Sequence, residues 1–297
     1  MANDCLQQKL KGTVQNDNLP LIDTVMLNVK SLTSYESNDY TFRGAGFSRV
    51  KVVGDGSFSV NGEGSYTDYQ NQDLGFKIYT CVPGNYKILI YNKYGIQQLI
   101  IGASVAGGGI SVEASQMDYV KPTYLQLEGE SLVGEYKPMQ LERIDTMFLG
   151  DSNSIKDNLI LDIANLKNAP ALKYVSISYN SNVNGDISAL TSIPLLEEFG
   201  ASNTSISGNI ESLSGCTKLN MFGAGYVTAI TGEIRTLAAS MAPNRGSSER
   251  LMLIVKNTNV TDDGNVVTEE YLASKGATNG RIWINFDGSG GYTISYQ

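Results

Sequence analysis

Asp162-Ile163-Ala164-Asn165-Leu166 is restated as Asp186-Ile187-Ser188-Ala189-Leu190, as Asn209-Ile210-Glu211-Ser212-Leu213 and as Glu233-Ile234-Arg235-Thr236-Leu237. The isoleucines recur after 24, 23 and 24 residues, and in the last three copies a glycine (Gly185, Gly208, Gly232) stands just before the segment. A second apolar block follows the first three copies: Leu172/Val175/Ile177, Leu196/Phe199/Ala201 and Leu219/Phe222/Ala224. A period of roughly 20–29 residues with L-x-x-φ-x-φ blocks (φ apolar) marks a solenoid of stacked coils. One coil cannot bury its apolar side alone, so stacking supplies the core.

Three inward ladders follow from the spacing. Ile163, Ile187, Ile210 and Ile234 form one, Leu166, Leu190, Leu213 and Leu237 a second, and Val175, Phe199 and Phe222 a third on the strand side. The glycines suit a turn that needs positive φ or a close backbone approach. Asn180, Asn203 and Asn257 come just after strands, where a side-chain amide can bond the backbone of a turn. Residues between the inward positions (Lys173, Ser176, Glu198, Gly200, Asn220, Gly223) face the open sheet surface, which reads as small and polar, with no cluster of aromatic or basic anchors.

Fainter copies extend the repeat in both directions. Ile96 to Ile101 reads as a first solenoid strand, followed by Tyr124-Leu125-Gln126-Leu127 and Met147-Phe148-Leu149, with spacers that include Gly107-Gly108-Gly109. Leu251 to Val255 resumes the pattern after an insertion carrying Pro243-Asn244-Arg245-Gly246. Thr268 to Gly276 has an N-cap, an acidic first turn, a late lysine and a terminal glycine, the signature of a helix of about two turns. Arg281 to Phe286 and Tyr292 to Tyr296 predict a closing hairpin able to cap the last coil.

Upstream, residues 1–20 are polar and turn-rich and read as an attachment arm that orders against a partner. Strand signals then run through Val25–Val29, Arg49–Val53, Ser57–Gly62, Phe76–Val82 and Tyr86–Tyr91, and Pro83-Gly84-Asn85 between the last two predicts a β-hairpin. The fold class is mainly β. A small N-terminal antiparallel β-domain, 21–94, precedes a solenoid with a C-terminal helix and hairpin cap, 95–297.

Composition narrows the function. A net charge of -8 disfavours nucleic acid and anionic membrane as partners, and no apolar run approaches the roughly 18 residues of a membrane span. Met1 to Cys5 begins polar, without a secretory leader's cationic and apolar regions, as a trimmed mature form also would. Cys5, Cys81 and Cys216 are far apart and odd in number, fitting neither a disulfide framework nor a zinc site. Histidine is absent, which removes imidazole-dependent triads and most catalytic zinc sites. Carboxylate-only chemistry survives. Charged residues make up 18% while Gly, Ser, Asn, Thr and Tyr abound, a surface closer to an extracellular or virion β-protein than to a cytosolic enzyme.

Ile206-Ser207-Gly208-Asn209-Ile210 and Ile230-Thr231-Gly232-Glu233-Ile234 resemble the φ-(S/T)-G-x-I element of leucine-rich repeats, although Ala201 and Ala224 replace bulky residues, which implies flatter coils. The signal-less N-terminus, the segment Gly84 to Gly95 and the Asn-Thr-x-φ-(S/T)-G repeats together resemble virion surface proteins of crAss-like, Bacteroides-infecting phages. That resemblance implies a capsid-attached head fibre or a tail-fibre component.

Other motifs have plainer readings. Thr261-Asp262-Asp263-Gly264-Asn265 lacks the spacing of a calcium loop and reads as a polar turn. Glu197-Glu198 and Asp262-Asp263 read as solvated charge, because successive strand residues face opposite sides. Gly44-Ala45-Gly46 precedes no nucleotide-binding unit. Asn203-Thr204-Ser205 and Asn259-Val260-Thr261 are sequons that matter only in a eukaryotic secretory pathway, and the tyrosines mostly populate strands. No catalytic, cofactor-binding or metal-binding residue is singled out, and no cofactor is expected.

Three functional classes compete. The first is a non-enzymatic virion protein, its arm and β-domain attached to phage capsid or tail proteins and its solenoid projecting from the virion surface toward a host-surface glycan or protein. It implies a homo-oligomer, dimer or trimer, because fibres are cyclic assemblies. The second is a bacterial leucine-rich-repeat surface adhesin. The third is a carbohydrate-active enzyme, which needs convergent carboxylates about 5 to 10 Å apart.

Overall fold

The computed structural model describes residues 159–277 and 279–297 throughout and, before them, residues 123, 136–138 and the strands named next. Of the side chains before residue 123, only Leu99 is described. Residues 1–20 and Gly107 to Gly109 lie outside the described residues, so the attachment arm and that spacer are not placed.

The strands are, in order, β1 (Thr24–Ser31), β2 (Asn38–Gly44), β3 (Ser48–Gly54), β4 (Phe58–Val60), β5 (Glu63–Tyr66), β6 (Asp68–Asn71), β7 (Gly75–Thr80), β8 (Gly84–Asn92) and β9 (Ile96–Ala103). They continue as β10 (Ile110–Glu113), β11 (Tyr124–Leu127), β12 (Leu132–Glu135), β13 (Thr146–Leu149), β14 (Leu159–Asp162), β15 (Tyr174–Ser176), β16 (Val183–Asp186) and β17 (Glu198–Gly200). The last are β18 (Ser205–Asn209), β19 (Met221–Gly223), β20 (Ile230–Glu233), β21 (Arg250–Ile254), β22 (Asn259–Asp262), β23 (Asn265–Val266), β24 (Ile282–Phe286) and β25 (Tyr292–Tyr296).

These strands form two sheets. One has 12 strands in the order β23-β22-β20-β18-β16-β14-β12-β10-β1-β8-β3-β6, and the other has 13 in the order β25-β24-β21-β19-β17-β15-β13-β11-β9-β2-β7-β4-β5. Alternate strands of the repeat region enter alternate sheets and pair in parallel with the coil before, as β15 does with β17 and β16 with β18. The fold is mainly β, with parallel-stranded sheets and few helices, the arrangement expected of a leucine-rich-repeat-like solenoid. Pairings among β1 to β8 are antiparallel. Both sheets run on from these strands into the coils: β10 lies antiparallel on β1, and β9 is antiparallel to β2 and parallel to β11.

The predicted hairpin across Pro83-Gly84-Asn85 is not formed. β7 pairs with β2 and β4 in the larger sheet, whereas β8 pairs with β1 and β3 in the smaller one. Alternating apolar patterns around a turn fit a crossing between two packed sheets as well as a hairpin, and the pattern cannot tell them apart.

Within a coil the chain makes a strand, a left-handed turn, a second strand and a short helix. After β15 it turns at Tyr179 (φ 63°), forms β16, enters the 3-10 helix Ile187–Ser192 and reaches β17. The helix starts because Asp186 caps it, its carboxylate accepting from the Ser188 N–H at 2.8 Å. Asp162 and Asn209 do the same for Ala164 and Glu211, each supplying an acceptor that the first turn lacks. The fourth copy continues instead as an α-helix, Ile234–Met241, capped by Glu233. The helix predicted near the C-terminus spans Glu269–Ser274, with the Thr268 hydroxyl accepting from Tyr271 N–H.

All three predicted ladders are buried. In the third, strand register carries one line of inward positions through Leu99, Leu125, Met147, Val175, Phe199, Phe222 and Leu253. Phe199 and Phe222 stack with centroids 6.0 Å apart. Each such side chain contributes about 1.5–3 kcal/mol by leaving water.

The asparagine ladder needs correction. The left-handed turn residue is Tyr179, Asn203, Tyr226 and Asn257 in successive coils, so Asn180 is one place out of register with the other two. Asn203 and Asn257 suit that position because asparagine tolerates positive φ. Asn180 instead accepts from Asn182 N–H in a local turn, and Thr258, one place after Asn257, accepts likewise from Val260 N–H.

Candidate functional site: a groove on the larger sheet

The outward line beside the aromatic ladder runs Tyr174, Glu198, Met221, Met252 and Trp283, each opposite the next in adjacent strands. Over its last part lies an open groove of about 470 Å³ lined by Glu198, Asn220, Met221, Arg245, Arg250 and Trp283, among others. The face expected to lack anchors therefore carries an aromatic and two arginines at this end. The reason is topological: β24 joins the sheet antiparallel to β21 and lays Trp283 against Met252, a register that the repeat pattern does not encode.

The groove's side chains are held from behind. Arg245, from the insertion, is buried and donates to the carbonyls of Leu219 and Cys216. It pairs with Glu249 at 3.3 Å and lies 5.5 Å over the Phe286 ring. Burial pulls its guanidinium below the usual range, with Glu249 opposing. Arg250 sits 5.3 Å over the Trp283 ring, and the indole N–H donates to Gln297 at 3.0 Å. Glu197 and Glu198 both line the groove, although alternation was expected to separate them. Glu197 precedes β17, so strand alternation does not govern it, and it accepts from the Tyr174 hydroxyl at 2.9 Å. Carboxylates, guanidinium groups and an amide around an indole offer acceptors and donors beside an aromatic plane.

A second cluster lies where the last coil meets the terminal hairpin. Asp262, expected to be solvated, is fully buried. Its carboxylate pairs with Arg235 at 3.2 Å and accepts from the hydroxyls of Tyr271, at 2.6 Å, and Tyr296. Burial, reinforced by that carboxylate, raises both phenols above their usual range. The sequence missed this because its partners lie 9 and 34 residues away in the chain. The neighbouring Asp263-Gly264 pair has φ of 53° and 75°, as a two-residue hairpin turn between β22 and β23 requires. The Glu233 carboxylate accepts from both of their N–H groups and from Thr261, so the turn read from the sequence is held by a side chain of the preceding coil. Among the described residues, no group of three or more Cys, Asp or Glu could hold a metal, and no helix is long and apolar enough to cross a membrane.

No protein-family model matches the chain, and no curated protein matches it. Among solved structures, internalin C2 from Listeria monocytogenes is similar at 18% identity with a TM-score of 0.36, over 57% of this chain and 75% of that one.

Proposed function

We propose that this chain is a non-enzymatic structural and adhesion protein of a phage particle, a head fibre or tail-fibre component, with its N-terminal part attached to capsid or tail proteins. The sequence resemblance to virion surface proteins suggests the setting. The observation that carries the reading is mechanical: β1 to β9 and the coils share both sheets through β10 on β1 and β9 on β2. An adhesin that projects from a particle must transmit force from its anchor, and a hydrogen-bonded sheet does so more stiffly than a linker. On this reading residues 21–94 are the base, the terminal hairpin caps the coils, and the Trp283 groove meets a host-surface glycan. Hydroxyl-rich ligands suit its mixture of donors, acceptors and an aromatic plane.

Immunogold labelling with an antibody against residues 95–297, on purified phage and on uninfected host cells, tests the setting. Gold on capsid or tail is expected. Gold confined to uninfected cells overturns the virion reading in favour of a bacterial surface adhesin.

A further inference from the structure

We infer that β25 is a self-association edge, at which a second copy of this chain pairs antiparallel and joins the two larger sheets into one. The inference does not rest on the virion setting, since the edge is the same on any surface.

Among the described residues, β25 is the last strand of its sheet and pairs only with β24. Gln297 and Arg281 exchange both backbone hydrogen bonds, at 2.9 and 3.0 Å, and Asp287 N–H bonds the Gly291 carbonyl at 3.1 Å. In an antiparallel ladder bonded and unbonded pairs alternate, so Ser295 and Thr293 also turn their backbone groups toward β24. The amides and carbonyls of Tyr292, Ile294 and Tyr296 therefore point outward.

Natural edge strands are usually blunted by lysine, proline or a bulge. Here the register with β24 runs without a shift, and Gly288 to Gln297 contains neither a charged residue nor a proline, in a chain with 22 basic and 30 acidic residues. Tyr292, Ile294 and Tyr296 pack only partly buried against the core, leaving apolar surface at the same margin.

The occupant that matches this edge is the edge itself. Antiparallel pairing about a two-fold axis at Ile294 sets Ile294 opposite Ile294 and Tyr292 opposite Tyr296 of the second copy. Every outward N–H then meets an outward carbonyl, about six hydrogen bonds in all, and the half-buried side chains cover one another. Thr293 falls opposite Ser295 of the other copy. Both are exposed, and neither carries a charge that would repel its counterpart. An isologous contact of this kind closes at two copies. One strand edge buries less than the roughly 1,600 Å² of a standard interface, so monomer and dimer exchange with concentration.

Sedimentation velocity from about 1 µM to about 300 µM, with amide exchange at both ends of the range, tests this. The expected result is a mass that doubles with concentration while the amides of Tyr292, Ile294 and Tyr296 slow by about tenfold or more. Thr293→Lys, which sets a cation at the edge from an exposed position, is expected to remain monomeric with unchanged circular dichroism. Ile294→Pro, which removes the central outward N–H without touching a bond to β24, is expected to do the same. A strict monomer with freely exchanging edge amides overturns the inference. So does a dimer that Thr293→Lys leaves intact, since the copies would then meet elsewhere.

Discussion

Gly208, at φ +124°, rests on the Asp186 carboxylate that caps the helix of the coil before it: a Cβ at Gly208 would stand 2.9 Å from Asp186 Oδ1 and 2.9 Å from Ile187 Cγ1. Gly185 on Asp162 and Gly232 on Asn209 repeat the contact. The Gly-(Asp/Asn/Glu)-Ile signature thus records two coils, the glycine belonging to one and its reason to the other. Gly208→Ala meets both a disfavoured φ and an occupied site, and is expected to destabilise by about 1–3 kcal/mol. Asp186→Asn, which keeps the cap that Asn209 uses naturally, should cost far less, and Asp186→Ala about 1 kcal/mol. Urea denaturation followed by circular dichroism ranks the three. Equal losses for Asp186→Asn and Gly208→Ala would refute the assignment.

Glu233 supplies a pH dependence with a defined sign. Burial opposes its charge, but hydrogen bonds from Thr261, Asp263, Arg235 and Gly264 outweigh that and hold its carboxyl below the ordinary 4.5. A carboxyl depressed in the folded state adds stability at pH values above its unfolded pKa, and loses it as pH falls through the folded one. Glu233→Gln is therefore expected to cost about 1–2 kcal/mol at pH 7, and the gap between variant and parent should close below about pH 4.5. A gap that stays constant down to about pH 3, well below the ordinary carboxyl pKa, would mean the charge plays no part.

Cys216, buried and with its carbonyl accepting from Arg245 of the groove lining, is a test of burial in this part of the core. Burial pushes its thiol up to about 11, with Arg245 pulling the other way. Only the thiolate attacks, so in a variant with Cys5 and Cys81 replaced by serine, a thiol reagent at pH 8 (a few units below that value) should react at the rate of unfolding. Rapid labelling of the native protein would show that this part of the core opens.

Much of this architecture can be read from single residues, and the exceptions share a cause. Ile187, Leu190 and Phe199 announce their ladders because each faces its own copy one period away, so the contact is written into the spacing. Asn180 falls outside the ladder because the turn selects a backbone conformation, which side-chain type does not reveal. Tyr179 and Tyr226 hold the left-handed turn with a side chain that gives no hint of it. Asp262 and Trp283 were unreadable for a further reason. Trp283, opposite Met252, and Tyr296, against Asp262, both come from the non-repeating hairpin β24–β25, while Tyr271 and Arg235 reach Asp262 from two further elements, so no repeat period records these contacts.

Trp283 is the chain's single tryptophan, so tryptophan-selective fluorescence reports on the groove. If the groove takes a glycan, titrating a panel of host-surface oligosaccharides should shift or quench that emission saturably for at least one of them. Arg250→Ala uncovers the ring, which Arg250 overlies at 5.3 Å, and is expected to shift the unliganded emission to the red. Met252→Lys sets a cation opposite the indole and should weaken binding about tenfold or more, the size of effect that loss of one central contact produces. Its thermal midpoint should barely change, since Met252 lies on the outward line. A saturable response that Met252→Lys leaves unaltered would place the ligand elsewhere, and a flat response across the panel would remove glycan binding from the proposal while leaving the structural role to the labelling experiment.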